Sequence, residues 1–294
     1  MSVWRYVIKD IIEKFNQRSI GTYASSTAFF LLLSIVPLLI LFSSAFTAAG
    51  LTKSLIMDLL SYIPPLESNE LVERIINEAF QISSNTLLPA TVVVLIWSCS
   101  RSMLALIYGL NMIYGIKETK NYFYLRFLAT LYTFLLILLF IAMFVLMVFG
   151  NLIIDLMSEN LSKLRFGFII AYQFRYLIIM IAGILIVTLI YKLVPNERHD
   201  YLLQVPGAVF TMIAWIILTA FFSLFVDATT YSAYYGSLAV TIIGMMWIYW
   251  CIYLMLVGAF INYYFEDIFY YGLFNLKRKL FRNRRRVRRN GREI

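Results

Sequence analysis

The chain of 294 residues is poor in what a water-soluble enzyme needs. Charged residues make up only 14% of it, against 62% hydrophobic and a mean hydropathy of +0.80, which excludes an ordinary soluble globular domain. It has one histidine, His199, in a short polar stretch, and neither an HExxH pattern nor a histidine-rich segment. Metal-assisted phosphodiester hydrolysis therefore lacks its usual ligands. No Walker or dinucleotide glycine pattern occurs, which argues against nucleotide-driven chemistry. The two cysteines, Cys99 and Cys251, fall inside apolar runs, where a packed thiol is expected and a disulfide framework is not. No cofactor and no metal site are expected.

What the chain does have is a succession of apolar runs, which predicts an all-α polytopic membrane protein. At roughly 20 residues per crossing, six spans are expected, at about 24–50, 87–109, 127–154, 168–191, 201–226 and 238–265. The uncharged run from Ala228 to Phe265 has 38 residues, about 57 Å as helix, too long for one crossing and too short for two. The cluster Tyr231, Tyr234, Tyr235, Gly236 and Ser237 resolves this as an interfacial turn, with the helix starting near Leu238. The first run is about twice as long as a signal-peptide core, so it is read as a retained span. Residues 1–23 place Trp4, Tyr6, Val7, Ile8, Ile11, Ile12 and Phe15 near helical spacing, as in an amphipathic surface helix. Residues 53–85, centred on Pro64-Pro65, read as an outer hairpin of two short amphipathic helices.

Charge location sets the orientation. Ten lysines and arginines lie between Lys277 and Arg292 in the tail, residues 272–294, leaving fifteen basic and fifteen acidic residues elsewhere. With the N-terminus inside, the inner segments carry nineteen: Arg5, Lys9, Lys14 and Arg18, then Lys117, Lys120 and Arg126, then Lys192 and Arg198, and the tail. The outer segments carry four, Lys53, Arg74, Lys163 and Arg165. This positive-inside bias predicts both termini in the cytoplasm. The tail is expected to sit on anionic lipid headgroups, each cation contributing about 1 kcal/mol near the surface, and not to bind a specific nucleic acid.

Four ordered motifs carry a family resemblance. They are Ser34 and Pro37 in LLLSIVPLL, the run from Trp97 to Phe123, the segment from Tyr191 to Trp215, and the stretch from Tyr234 to Asn262. In order and spacing these resemble the YihY/virulence factor BrkB family of bacterial inner-membrane proteins, over roughly residues 5 to 270. The resemblance implies a six-helix protein of the bacterial cytoplasmic membrane with both ends inside, in agreement with the charge count. Members have been labelled ribonuclease BN and have also been treated as transporters, including of lipid-like substrates. Where many members have Gly-Ala-Glu near the end of the last span, this chain has Gly258-Ala259-Phe260.

Arg101 is the leading candidate for a functional residue, because an ionisable group inside a span is expensive and rarely idle. It lies twelve residues beyond Pro89, about 18 Å along a helix and in the inner half of a ~30 Å core. Trp97, Arg101, Tyr108 and Asn111 share one helical stripe, and Ser98, Ser102, Ala105 and Gly109 an adjacent small-residue stripe. Arg101, Ser98, Asn111 and Asn262 are the candidate substrate contacts, facing an anionic group such as a lipid phosphate; the competing reading has Arg101 snorkelling to inner-leaflet phosphates or bonding to carbonyls freed by Pro37. Pro37 is expected to kink the facing helix. Arg175 is read as a structural ion-pair partner of Asp155 or Asp227. The function these residues support is transport of an unidentified lipid-like or amphiphilic anion, not ATP-driven by the chain itself; the alternative is a non-transporting scaffold or envelope-assembly factor. An oligomer is compatible with either.

Overall fold

The structure, a computed structural model, describes residues 3–48, 77, 88–148, 175–197, 200–225 and 237–271. Its main elements are α1 (Val3–Gln17), α2 (Ile20–Ala48), α3 (Leu88–Tyr114), α4 (Tyr122–Val148), α5 (Arg175–Leu193), α6 (Tyr201–Phe225) and α7 (Ser237–Tyr264). No strand occurs among the described residues. An apolar chain in lipid has no water to bond its peptide groups, and a helix satisfies them within the segment. Among the described residues four stretches are long and apolar enough to cross a membrane: Ile20–Leu41, Pro89–Tyr114, Tyr201–Ser223 and Thr241–Tyr264. α4 and α5 contribute shorter apolar stretches, Tyr122–Leu138 and Ile179–Leu193. The expected hairpin at 53–85, the tail at 272–294, Asp155, Asp227 and His199 lie outside the described residues.

Helix α2 packs most extensively on α3 and next on α7; α7 also touches α3 and lies along α6, while α4 flanks α3 and α5 flanks α6. The Tyr132 hydroxyl of α4 donates to the Leu193 carbonyl at the end of α5 (3.0 Å), joining the two flanking helices. Ser and Thr hydroxyls inside the spans donate to carbonyls of their own helix, as Thr27 does to Tyr23 (2.8 Å) and Ser98 to Val94 (2.8 Å). That satisfies the hydroxyl without a partner helix. Ser102 departs from the pattern and donates across to the Thr27 carbonyl of α2 at 2.9 Å, consistent with the close α2–α3 approach its small-residue stripe predicts.

The core sits at one end, called proximal because α1 lies there. It is built from the start of α2 (Ile20, Ala24, Ala28), the end of α3 (Met103 to Tyr114), the start of α4 (Leu125, Ala129), the end of α5 (Val187, Tyr191), the start of α6 (Leu203, Ala208) and the end of α7 (Met255, Leu256, Ala259, Phe260). Among the described side chains of the distal half, only those of α2 and α3 include fully buried ones, among them Ser34, Pro37, Ser43, Leu95 and Ser98. Among the described side chains none is fully buried in α4 beyond Ala129, in α5 before Val187, in α6 after Thr211 or in α7 before Met255.

The proximal connections are short and tightly made. α1 ends at Gln17, Ser19 adopts a left-handed φ of 49°, and α2 restarts at Ile20, ahead of the Ala24 start read from hydropathy. Gly115, at φ 73°, closes α3. The Ile116 N–H donates to the Asn111 carbonyl (2.8 Å) and the Gly115 N–H to that of Met112 (3.3 Å), the paired pattern of a Schellman cap that favours glycine at this φ.

Candidate functional site

Polar side chains at the proximal end are tied to backbone groups of neighbouring helices. Pro206 removes an N–H from the first turns of α6, and Asn262 of α7 bridges the backbone around it. Its Oδ1 accepts from the Gly207 N–H (2.7 Å), and its Nδ2 donates to the Gln204 carbonyl (3.0 Å) and side-chain oxygen (3.1 Å). The Tyr114 hydroxyl of α3 donates to the same Gln204 side-chain oxygen at 2.6 Å. One turn deeper, the Tyr191 hydroxyl of α5 donates to the Met255 carbonyl of α7 (2.6 Å) and the Thr211 hydroxyl of α6 donates to the Gly207 carbonyl (2.9 Å), with the two hydroxyl oxygens 2.8 Å apart. Gly207 and Gly258 let α6 and α7 cross here: a Cβ on Gly207 would collide with the Gly258 carbonyl and the Asn262 amide.

Arg18 forms a second clamp. Its Nη1 donates to the Met112 carbonyl and its Nη2 to the Tyr263 hydroxyl, both at 2.7 Å, with the guanidinium 4.6 Å from the Tyr263 ring. One side chain thus holds the α1–α2 junction to the ends of α3 and α7, and a cation suits the carbonyl end of a helix. α1 is fixed further by Phe15, edge-on to Phe260 at 5.2 Å, and by the Tyr264 hydroxyl donating to Asp10 at 2.8 Å. Phe260 is almost fully buried and stacks on Tyr264 at 5.9 Å. Phe260 is thus an apolar anchor for the first helix.

The candidate substrate contacts do not converge. Arg101 lies on the exposed face of α3, its guanidinium 6.0 Å from the Trp97 ring. Ser98 is fully buried and its hydroxyl is engaged by the Val94 and Leu95 carbonyls (2.8 and 3.2 Å). Asn111 is buried at the proximal end, donating to Glu118 (3.0 Å) and accepting from the Asn196 N–H (3.0 Å). Asn262 belongs to the α6–α7 clamp. Pro37 is buried within an α2 that runs continuously from Ile20 to Ala48. Arg175 is the first residue of α5, and both acids read as its partners lie outside the described residues. Cys99 and Cys251 are free thiols. Among the described residues no three His, Cys, Asp or Glu side chains come together as a metal site.

Arg126 is among the residues whose role the sequence does not show. Arg126 was counted as a loop cation, yet α4 begins at Tyr122 and carries it one turn into the helix, where its Nη2 donates to the Trp97 carbonyl at 3.0 Å. The signal was available in Leu125 and Ala129, whose spacing continues a buried helical face upstream of the expected span start.

Continuous apolar helices, lipid-compatible hydroxyl bonding and a polar-clamped end define a multi-pass membrane protein. The chain belongs to the virulence factor BrkB family, whose model matches residues 11–274. It is similar to YfkH of Bacillus subtilis (strain 168), named a ribonuclease-like protein, with 25% identity over 256 residues, covering 87% of this chain and 93% of that one. No solved structure matches the chain.

Proposed function

We propose that the protein is a transporter of a lipid-like or amphiphilic anion in the bacterial cytoplasmic membrane, crossing it six times with both termini in the cytoplasm. The observation that carries this reading is the packing asymmetry: a filled and hydrogen-bonded proximal half, and a distal half in which α4 to α7 bury no described side chain fully. Helices sealed at one end and loosely packed at the other leave apolar walls on which an acyl chain can lie. The proximal end also carries Arg5, Lys9, Lys14, Lys117, Lys120 and Lys192, which supports its assignment to the cytoplasmic side. Ser98, Asn111 and Asn262 already hold structural bonds, so Arg101 is retained as the substrate contact. We assign the chain no enzymatic step.

The test is flux in proteoliposomes, read as dithionite quenching of fluorescently labelled phosphatidylglycerol. Expected is exchange well above protein-free vesicles, falling to that background in Arg101→Ala at equal reconstitution. Wild-type exchange no faster than empty vesicles overturns the reading. The scaffold alternative draws on the filled proximal half and on Ile8 and Ile12, both exposed on α1; it is favoured if phenotype follows deletion of residues 53–85 and ignores Arg101.

A further inference from the structure

Two arginines converge on one tryptophan at the seam between α3 and α4. Arg101 approaches the Trp97 ring at 6.0 Å and Arg126 Nη2 donates to the Trp97 carbonyl at 3.0 Å, so one cation from α3 and one from α4 lie against the same residue. Ion pairs among the described residues are those of Lys9 with Glu13 and Lys14 with Asp10, both on α1. Glu118, the acid of the connection before α4, is engaged by Asn111 and by the Lys120 N–H. Arg126 Nη1 is buried with no acceptor. A buried charged donor left unbonded is costly, and paired cations at membrane depth are costlier still. An oxyanion between them would convert both penalties into charge-assisted hydrogen bonds, and guanidinium groups match phosphate geometry.

We infer that Arg101 and Arg126, framed by Trp97, bind the phosphate of a membrane phospholipid. The surroundings favour a lipid over a soluble phosphate ion. Val93 and Val94 of α3 and Phe127, Leu131 and Phe134 of α4 are exposed beside the pair, a wall on which acyl chains can lie once the headgroup is held. The inference deepens the transport reading and rests on it for physiological meaning, but binding and flux fail separately: headgroup binding without exchange removes the transporter and leaves the site.

The experiment is native mass spectrometry of the delipidated full-length protein, titrated with dioleoyl phosphatidylglycerol, with dioleoylglycerol (same chains, no phosphate), and with glycerol 3-phosphate as a competitor without chains. Expected is preferential binding of phosphatidylglycerol, weakened about tenfold in Arg101→Gln and in Arg126→Gln, the loss of one charge-assisted hydrogen bond. Arg101→Lys keeps the charge but loses the planar fork and is expected to bind between wild type and Arg101→Gln. Arg126→Gln also breaks the Trp97 bond; if it does not fold, Arg101→Gln, on an exposed position, decides alone. Phosphatidylglycerol affinity within twofold of wild type in Arg101→Gln, or equal binding of dioleoylglycerol, overturns the site. Displacement by glycerol 3-phosphate at equal concentration overturns the lipid as its source.

Discussion

The proximal and distal halves of this bundle are built from the same helices by different rules. At the proximal end, backbone groups around Pro206, at Met255 and at the end of α3 are met by Asn262, Tyr191 and Arg18 from neighbouring elements. In the distal half hydroxyls mostly bond within their own helix, as Ser34 does to Leu31 (2.6 Å) and Ser43 to Ile40 (2.9 Å). Side chains such as Ile216, Ile217 and Phe221 of α6 and Ile242 and Met246 of α7 stay exposed. The contrast matters because lipid supplies no hydrophobic drive between helices, so close packing and interhelical hydrogen bonds must hold them together. One end is specified by shape and polar pairing; the other presents apolar side chains and keeps such interhelical bonds as Trp215 Nε1 to the Cys251 carbonyl at 2.8 Å.

The largest expected effect comes from placing a methyl group in each half. Gly258→Ala would bring a Cβ to 2.6 Å from the Tyr191 hydroxyl and 2.7 Å from the Gly207 carbonyl, whereas Gly244→Ala meets nothing within 4 Å. Overpacking of rigid backbone predicts about 3 kcal/mol lost for Gly258→Ala and no measurable change for Gly244→Ala, read as thermal unfolding in maltoside micelles. Equal shifts for both would erase the distinction between the halves. Asn262→Leu comes next. It leaves the Gly207 N–H and the Gln204 carbonyl without this partner in a buried site, and about 2 to 3 kcal/mol is expected. Hydrogen exchange should rise around Pro206 first, while distal amides keep their wild-type rates.

A smaller effect is expected from Arg18→Met, which retains an apolar stem but removes the bonds to Met112 and Tyr263. About 2 kcal/mol of docking energy is expected to go, seen as faster proteolysis within α1 while α2 to α7 melt nearly as before. Uncoupled melting would place the clamp at the α1–α2 junction; global unfolding would make α1 part of the core. The sequence showed this region only in outline. Helical periodicity revealed α1, and apolar length revealed that the later segments are helices. Arg18 and Arg126 were visible only as inner charges, because what distinguishes them is a long-range partner, Met112 for one and Trp97 for the other. Asn111 and Asn262 looked like cavity groups for the same reason: a buried amide reads alike whether it meets a ligand or a neighbouring backbone. The difference between the halves was not legible at all, since both are written in the same apolar residues.

The smallest effect tests how α1 is held to the proximal end. Asp10 accepts from Lys14 (3.0 Å) and from Tyr264 (2.8 Å), and these bonds, Lys14 first, hold its carboxyl below 3.8. Asp10 in turn raises Lys14 above 10.5. A depressed carboxyl contributes stability that is fully present above its ordinary value and is lost as pH falls through its lowered one. A raised ammonium contributes below 10.5 and loses its contribution as pH rises through the higher value. Docking of α1 is therefore expected to be constant across neutral pH and to weaken at both extremes, followed by hydrogen exchange of its amides corrected for intrinsic rates. Both groups are exposed, so the change should be slight, and salt should diminish it. Asp10→Asn keeps an acceptor for Tyr264 but removes the charge, and is expected to flatten both limbs. If the acid limb survives that substitution, it arises from another group, and the attachment of α1 rests on Phe15, Phe260 and Arg18 without electrostatic help from Asp10.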